Sequence, residues 1–148
     1  MEGGIIMRLW HTDLIKVLPR EQLVAQWREL SAIAGAIQKN GTPNHILVNF
    51  VLEYNYDHFI SYAYYVRQEM TKRGYRTMNS VWDKITALSA DYKILPLEEV
   101  YKEKMNDDYF NICYYNLYEK MLCGGIMSMT WHKIESAKNL YIERNHRP

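Results

Sequence analysis

Two sets of apolar residues recur at a helical period, and they constrain the fold more than any other feature of the chain. Leu23, Trp27, Leu30, Ala34 and Ile37 fall three or four residues apart, as do Phe59, Tyr62, Val66 and Met70. That spacing puts each set on one side of an α-helix, whereas a half-buried strand would need strict alternation. The first helix is predicted to open at Leu18-Pro19-Arg20-Glu21-Gln22, because a proline in the first turn forfeits no hydrogen bond. It is predicted to stop at Lys39-Asn40-Gly41, where Asn or Gly takes a left-handed cap. The second helix spans residues 57–73 and ends at Gly74. Gln22, Arg28 and Glu29 lie off the main apolar stripe of the first helix, which frees them to face a groove.

The rest of the chain reads the same way. Residues 44–53 mix β-branched and apolar side chains and are strand-like in composition, but read here as a loop feeding the second helix. Asn79 is a candidate cap for a helix through Ala87, and Pro96-Leu97-Glu98-Glu99 opens another. Asp107 or Asp108 would cap a helix carrying Tyr109, Ile112, Cys113, Leu117 and Met121, closed by Gly124-Gly125. Thr130 would cap a last helix with Trp131, Ile134, Leu140 and Tyr141. With no internal repeat, the expectation is an all-α fold: a single compact domain of five or six helices over residues 7–148, long enough to bury a sizeable core.

Charge and composition exclude several function classes. The net charge is +1, with nine Lys/Arg against seven Asp/Glu in residues 1–77 and nine against ten in residues 78–148. Any affinity for nucleic acid must therefore come from local clustering and not from bulk charge. Cys113 and Cys123 form no disulfide framework and lack metal-site spacing, so they read as buried thiols. His11, His45, His58, His132 and His146 show no paired ligand spacing, so neither a metal nor a cofactor is expected. No apolar run approaches the ~20 residues a bilayer requires, and no signal peptide is evident, which points to the cytoplasm and to no membrane partner. Thirteen tyrosines and four tryptophans suit half-wet grooves as well as cores. Met121, Met127 and Met129 read as core filler.

Residues 1–6 carry neither helical nor strand pattern. Read as codons, Met1-Glu2-Gly3-Gly4 can encode a purine-rich GGAGG run shortly before the Met7 codon, where a bacterial ribosome-binding site would lie. The expectation is that translation starts at Met7 and that residues 1–6 are a start-site misassignment; a short flexible extension is the alternative. The distinction matters chemically, because an amine at Met7 is a nucleophile and a peptide nitrogen is not.

Arg8-Leu9 near the start is followed by Leu18, Leu23, Ala25, Trp27-Arg28-Glu29-Leu30, Gly35-Ala36, Lys39 and then Lys72-Arg73-Gly74-Tyr75. In these residues the chain resembles the pyrimidine-dimer DNA glycosylase family, typified by the phage endonuclease V that cuts at ultraviolet photoproducts. Met7-Arg8-Leu9-Trp10-His11, with Leu18-Pro19-Arg20, is closer still to a bacterial branch of that family. The resemblance covers roughly residues 7–76. It implies an endonuclease V-like all-α fold and a DNA-repair glycosylase with abasic-site lyase activity, acting on double-stranded DNA with a damaged base or an abasic site. The family's amino-terminal amine attacks the sugar C1′ and forms an imine. Its essential glutamate falls on Glu29, and its arginines fall on Arg8 and Arg28. Because Arg8 is bulky, Met7 would keep its place and carry the amine. The family's further arginine, three residues after the glutamate, falls on Ala32, which leaves the lesion type open.

These residue types suit that reaction. An α-amine has a pKa of about 7.7–8.0 against about 10.4 for lysine, so roughly a tenth is free at pH 7. Glu29 would stabilise the positive sugar as the base departs and then shuttle protons. Arg8 and Arg28 would clamp phosphates beside the lesion, with His11 as a candidate phosphate contact or proton donor. Asn49, Tyr54 and Tyr56 are candidates to line the same groove. An Arg-Glu pair on a helix is otherwise a solvated face with a local ion pair of about 0.3–0.5 kcal/mol. Two other readings stand beside the enzyme: a noncatalytic nucleic-acid or protein-binding member of the same fold, and a small-molecule pocket built by the tyrosine-rich helices.

Overall fold

The proline at position 19 sets the first helix boundary. In the computed structural model, which describes residues 8–145, Pro19 is the N-cap of α1 (Arg20–Asn40). Its carbonyl accepts the Leu23 N–H at 3.0 Å. The far end closes at Gly41, whose φ of 77° is left-handed and whose N–H reaches the Ile37 carbonyl at 2.8 Å. A residue with a Cβ adopts that conformation only at a cost. Asn55 caps α2 (Tyr56–Lys72), its Oδ1 accepting from the Asp57 N–H at 3.0 Å. Then follow α3 (Asn79–Thr86), α4 (Asp107–Leu122) and α5 (Ser128–Asn145). Tight 3-10 turns occupy Thr12–Val17, Asn49–Glu53 and Leu97–Glu99. Among the described residues there is no strand, so the all-α expectation matches, and no helix is long and apolar enough to cross a membrane.

The two predicted stripes form the centre of the core. Leu23, Trp27, Leu30, Ala34 and Ile37 on α1, and Phe59, Tyr62, Val66 and Met70 on α2, are all buried. Each such aliphatic or aromatic side chain contributes about 1.5–3 kcal/mol by leaving water. Besides α2, α1 packs on α3. A Cβ built on Gly35 would stand 2.9 Å from the Lys84 ammonium of α3, so the helices approach closely where the sequence has no side chain. The Thr12–Val17 turn lies on α2 and α5. Leu9, Leu14 and Leu18 around it are buried, which folds the start of the described chain into the body.

Several expectations outside this core are corrected. Residues 97–99 make a single 3-10 turn and no helix, because Val100 turns extended and buried Tyr101 takes a left-handed φ of 50°. Asn106 caps α4 in place of Asp107 or Asp108; its Oδ1 accepts the Tyr109 N–H at 2.9 Å. α3 is capped from Met78, and α5 opens at Ser128, two residues before Thr130. Cys113 is buried, but Cys123 is exposed at the end of α4. Met127 and Met129 are about three-quarters exposed and fill no core, while Met121 packs on its edge. Residues 44–53 are turns and the Asn49–Glu53 3-10 segment, anchored by buried Val48 and Val51.

Candidate active site

Gln22, Gln26 and Glu29 stand at i, i+4 and i+7 on α1, one row beside the apolar stripe. Gln26 is fully buried, so its amide must find partners inside the protein. Its Oε1 accepts the Trp10 N–H at 2.8 Å. Its Nε2 donates to the Arg8 carbonyl at 2.8 Å and to Glu29 Oε1 at 3.2 Å. Tyr62 of α2 donates its hydroxyl to the Trp10 carbonyl at 2.5 Å and lies 2.9 Å from Gln26 Oε1. One side chain thus ties the segment entering from the chain start to the helix that bears the carboxylate. Gln22, one turn earlier, keeps its Oε1 buried with no donor among the described residues.

Burial pushes the Glu29 carboxyl up to about 7, and the Arg28 and Arg8 charges restrain the rise. Neither arginine closes an ion pair among the described residues, so both guanidiniums are available to an anion. Arg28 is exposed and Arg8 half-buried. The Arg8 guanidinium lies 5.7 Å from the Trp10 ring centroid and also faces Tyr109 and Cys113 of α4. Burial raises both the Tyr109 phenol and the Cys113 thiol, while Arg8 pulls them down. Tyr109 donates to the Leu9 carbonyl. Lys104 adds a further cation, its ammonium 4.6 Å from the Tyr109 ring centroid and 5.1 Å from that of Phe50. A carboxylic acid that titrates near neutral pH beside the Arg28 and Arg8 charges can pass a proton in either direction at pH 7 and can face a developing positive charge. The cations suit phosphate oxygens.

The expected site residues fare differently. Arg8, Arg28 and Glu29 come together, and Met7 lies outside the described residues. His11 is 1% exposed. Its Nδ1 accepts the Asp13 N–H at 3.1 Å and its Nε2 meets the Met105 carbonyl at 3.0 Å. Both ring nitrogens are engaged, so His11 offers no donor to a phosphate; it caps the Thr12–Val17 turn and docks it on the segment before α4. Asn49 caps its own loop, accepting the His45 N–H at 2.9 Å. Tyr54 joins an aromatic group with Phe50 and Tyr101, and Phe50 reaches the site through Lys104. Tyr56 packs half-buried on the core edge. No motif marks Gln26 or Lys104 as a site residue, and helical spacing marks Tyr62 and Tyr109 only as core positions of their helices. Among the described residues no group of three or more His, Cys, Asp or Glu is placed to hold a metal ion.

A family model described as pyrimidine dimer DNA glycosylase matches residues 7–83. No curated protein and no solved structure matches the chain.

Proposed function

This chain belongs to the pyrimidine dimer DNA glycosylase family, and on that premise we propose that it is a DNA glycosylase with abasic-site lyase activity, in which an amine at Met7 and the Glu29 carboxylate act on the sugar of a damaged nucleotide. The observation that carries the reading is the shared Gln26 amide, which holds the Arg8 backbone and the Glu29 carboxylate on one nitrogen. In sequence Met7 immediately precedes Arg8, whose carbonyl shares the Gln26 amide with Glu29, and this supports an amine at Met7 as the nucleophile. The family match opens at the same residue.

The chemistry follows from these groups. The amine lone pair attacks C1′ and the new C–N centre sheds a proton as the glycosidic C–N bond breaks; the base leaves with the bonding pair and takes up a proton. Glu29 as carboxylate offsets the positive charge on the sugar; as acid it supplies the proton that opens the ring to the imine. Loss of a C2′ proton then expels the 3′ phosphate. Arg8, Arg28 and Lys104 hold phosphates on either side of the extruded nucleotide, and a damaged pair costs least to unstack.

Borohydride reduction of the imine tests the proposal. Protein starting at Met7 should give a covalent adduct with an abasic duplex. A chain with residues 1–6 retained, or with a blocked amine, should not. No adduct from protein starting at Met7 sinks the amine mechanism, and a native mass that includes residues 1–6 removes its nucleophile.

A further inference from the structure

A groove of about 470 Å³ runs between the first turn of α1, the last turn of α2 and the start of α5, away from Glu29. Lys16, Arg20, Lys72, Arg73 and Lys133 line it together with the Tyr75 ring. Glu69 also lines it, but Arg73 closes that carboxylate at 2.8 Å. Arg73 is fixed in the wall, donating besides to the Leu18 and Lys16 carbonyls at 2.8 and 3.1 Å. Lys16, Arg20, Lys72 and Lys133 form no ion pair among the described residues. Arg20 lies over the Tyr75 face at 5.3 Å. Since the whole chain nets only +1, this concentration leaves the remainder net negative. The groove is a local cation cluster on an otherwise acidic molecule, which is the form that phosphate-backbone binding must take here.

The cluster is separate from the site proposed above. Glu29 is nine positions after Arg20, a rise of roughly 13.5 Å and a half-turn about the axis, so the body of α1 stands between them. We propose that this groove holds the sugar-phosphate backbone of a second segment of duplex DNA, distinct from the one presented to Glu29. This rests on the proposed function for what the first segment is. Cations from three separate helices, with an aromatic ring among them, match a repeating line of charge better than a single small anion. Holding two segments at once lets the protein pass from one duplex to another without a free interval, which electrostatic contacts to phosphate permit.

Release from a labelled undamaged duplex, followed at rising concentrations of unlabelled duplex, reads this directly. The unmodified full chain should be released faster as competitor rises. Lys72→Glu/Lys133→Glu should be released at a rate independent of competitor, while its borohydride trapping on a short abasic duplex is unchanged. The milder Lys72→Ala/Lys133→Ala pair guards against misfolding and should lower the salt slope of competitor capture by about two. Inorganic phosphate at matched ionic strength should not speed release. Competitor-independent release of the unmodified protein, or equal acceleration by phosphate alone, overturns the second-segment site. Competitor dependence without trapping would sink the lyase reading and keep the groove; the converse would keep the lyase and remove the groove.

Discussion

Gln26 donates its side-chain amide to Glu29 at 3.2 Å with the same nitrogen that holds the Arg8 carbonyl at 2.8 Å. Replacing it by leucine conserves size but strands the Trp10 N–H and the Arg8 carbonyl. Each buried polar group left without a partner costs about 1–3 kcal/mol. Gln26→Leu should therefore lose about 2–5 kcal/mol in urea unfolding, and trapping should fall even at temperatures where the variant is folded. A variant with undiminished trapping would show that the bridge does not position the site.

Glu29 couples the site to pH. Its folded pKa of about 7 lies above its ordinary value of 4.5. As pH rises, the unfolded chain ionises first, so Glu29 progressively destabilises the native state between about pH 4.5 and 7, and the cost is constant above that. Glu29→Gln, which can still accept from Gln26, should match the parent near pH 4 and exceed its stability at pH 8 by roughly 1 kcal/mol, a figure reduced for partial solvent contact. Turnover should move the opposite way, falling about 10²–10⁴-fold. The parent's base-release rate should rise through about pH 7 as the carboxylate forms, and the variant should lack that step. Equal stability of the two proteins at pH 4 and at pH 8 would contradict the raised carboxyl.

Lys104 tests whether α4 and the segment before it belong to the DNA-contacting surface. Its ammonium sits over Tyr109, whose hydroxyl reaches the Leu9 carbonyl next to Arg8. Lys104→Ala should weaken binding to all duplexes about equally and lower the salt slope by about 1. Arg28→Ala should do the same. An unchanged slope for both, measured between low and moderate salt, would place the bound phosphates elsewhere.

The helical stripes and the α1 boundaries were legible because burial on a helix forces a 3.6-residue repeat, and Pro19 and Gly41 punctuate it locally. The nearness of Arg8 to Glu29 was expected only through resemblance; no local rule carries the chain's start back onto α1. Gln26 was legible in principle. It follows Leu23 by three and precedes Leu30 by four, on the buried side, and a polar residue there must be satisfied. Tyr109 and Lys104 were not legible as site residues, since Tyr109 reaches Leu9 across 100 positions and Lys104 reaches Phe50 from a distant segment, and neither carries a motif. Apolar composition does not imply burial at Cys123, Met127 and Met129, because the end of α4, the following turn and the first turn of α5 leave them in water.

His11 separates positioning from contact. Burial lowers its pKa, against the Asp13 charge and the Met105 carbonyl bond, which raise it. The folded protein therefore holds His11 neutral, and the unfolded chain takes up the proton first as pH falls below about 6.5. The stability that depends on neutral His11 is complete above that pH and is lost as the solution becomes more acidic. His11→Ala removes the cap on the Asp13 N–H and the bond to Met105, which should cost about 1–3 kcal/mol at pH 8. The gap between parent and variant should narrow at pH 5, because the parent has by then lost part of what His11 supplies. Binding to an abasic duplex by folded His11→Ala should keep the parent's salt slope. A slope lowered by about 1 with stability intact would instead put His11 on a phosphate, and would require the ring to leave Met105 when DNA binds.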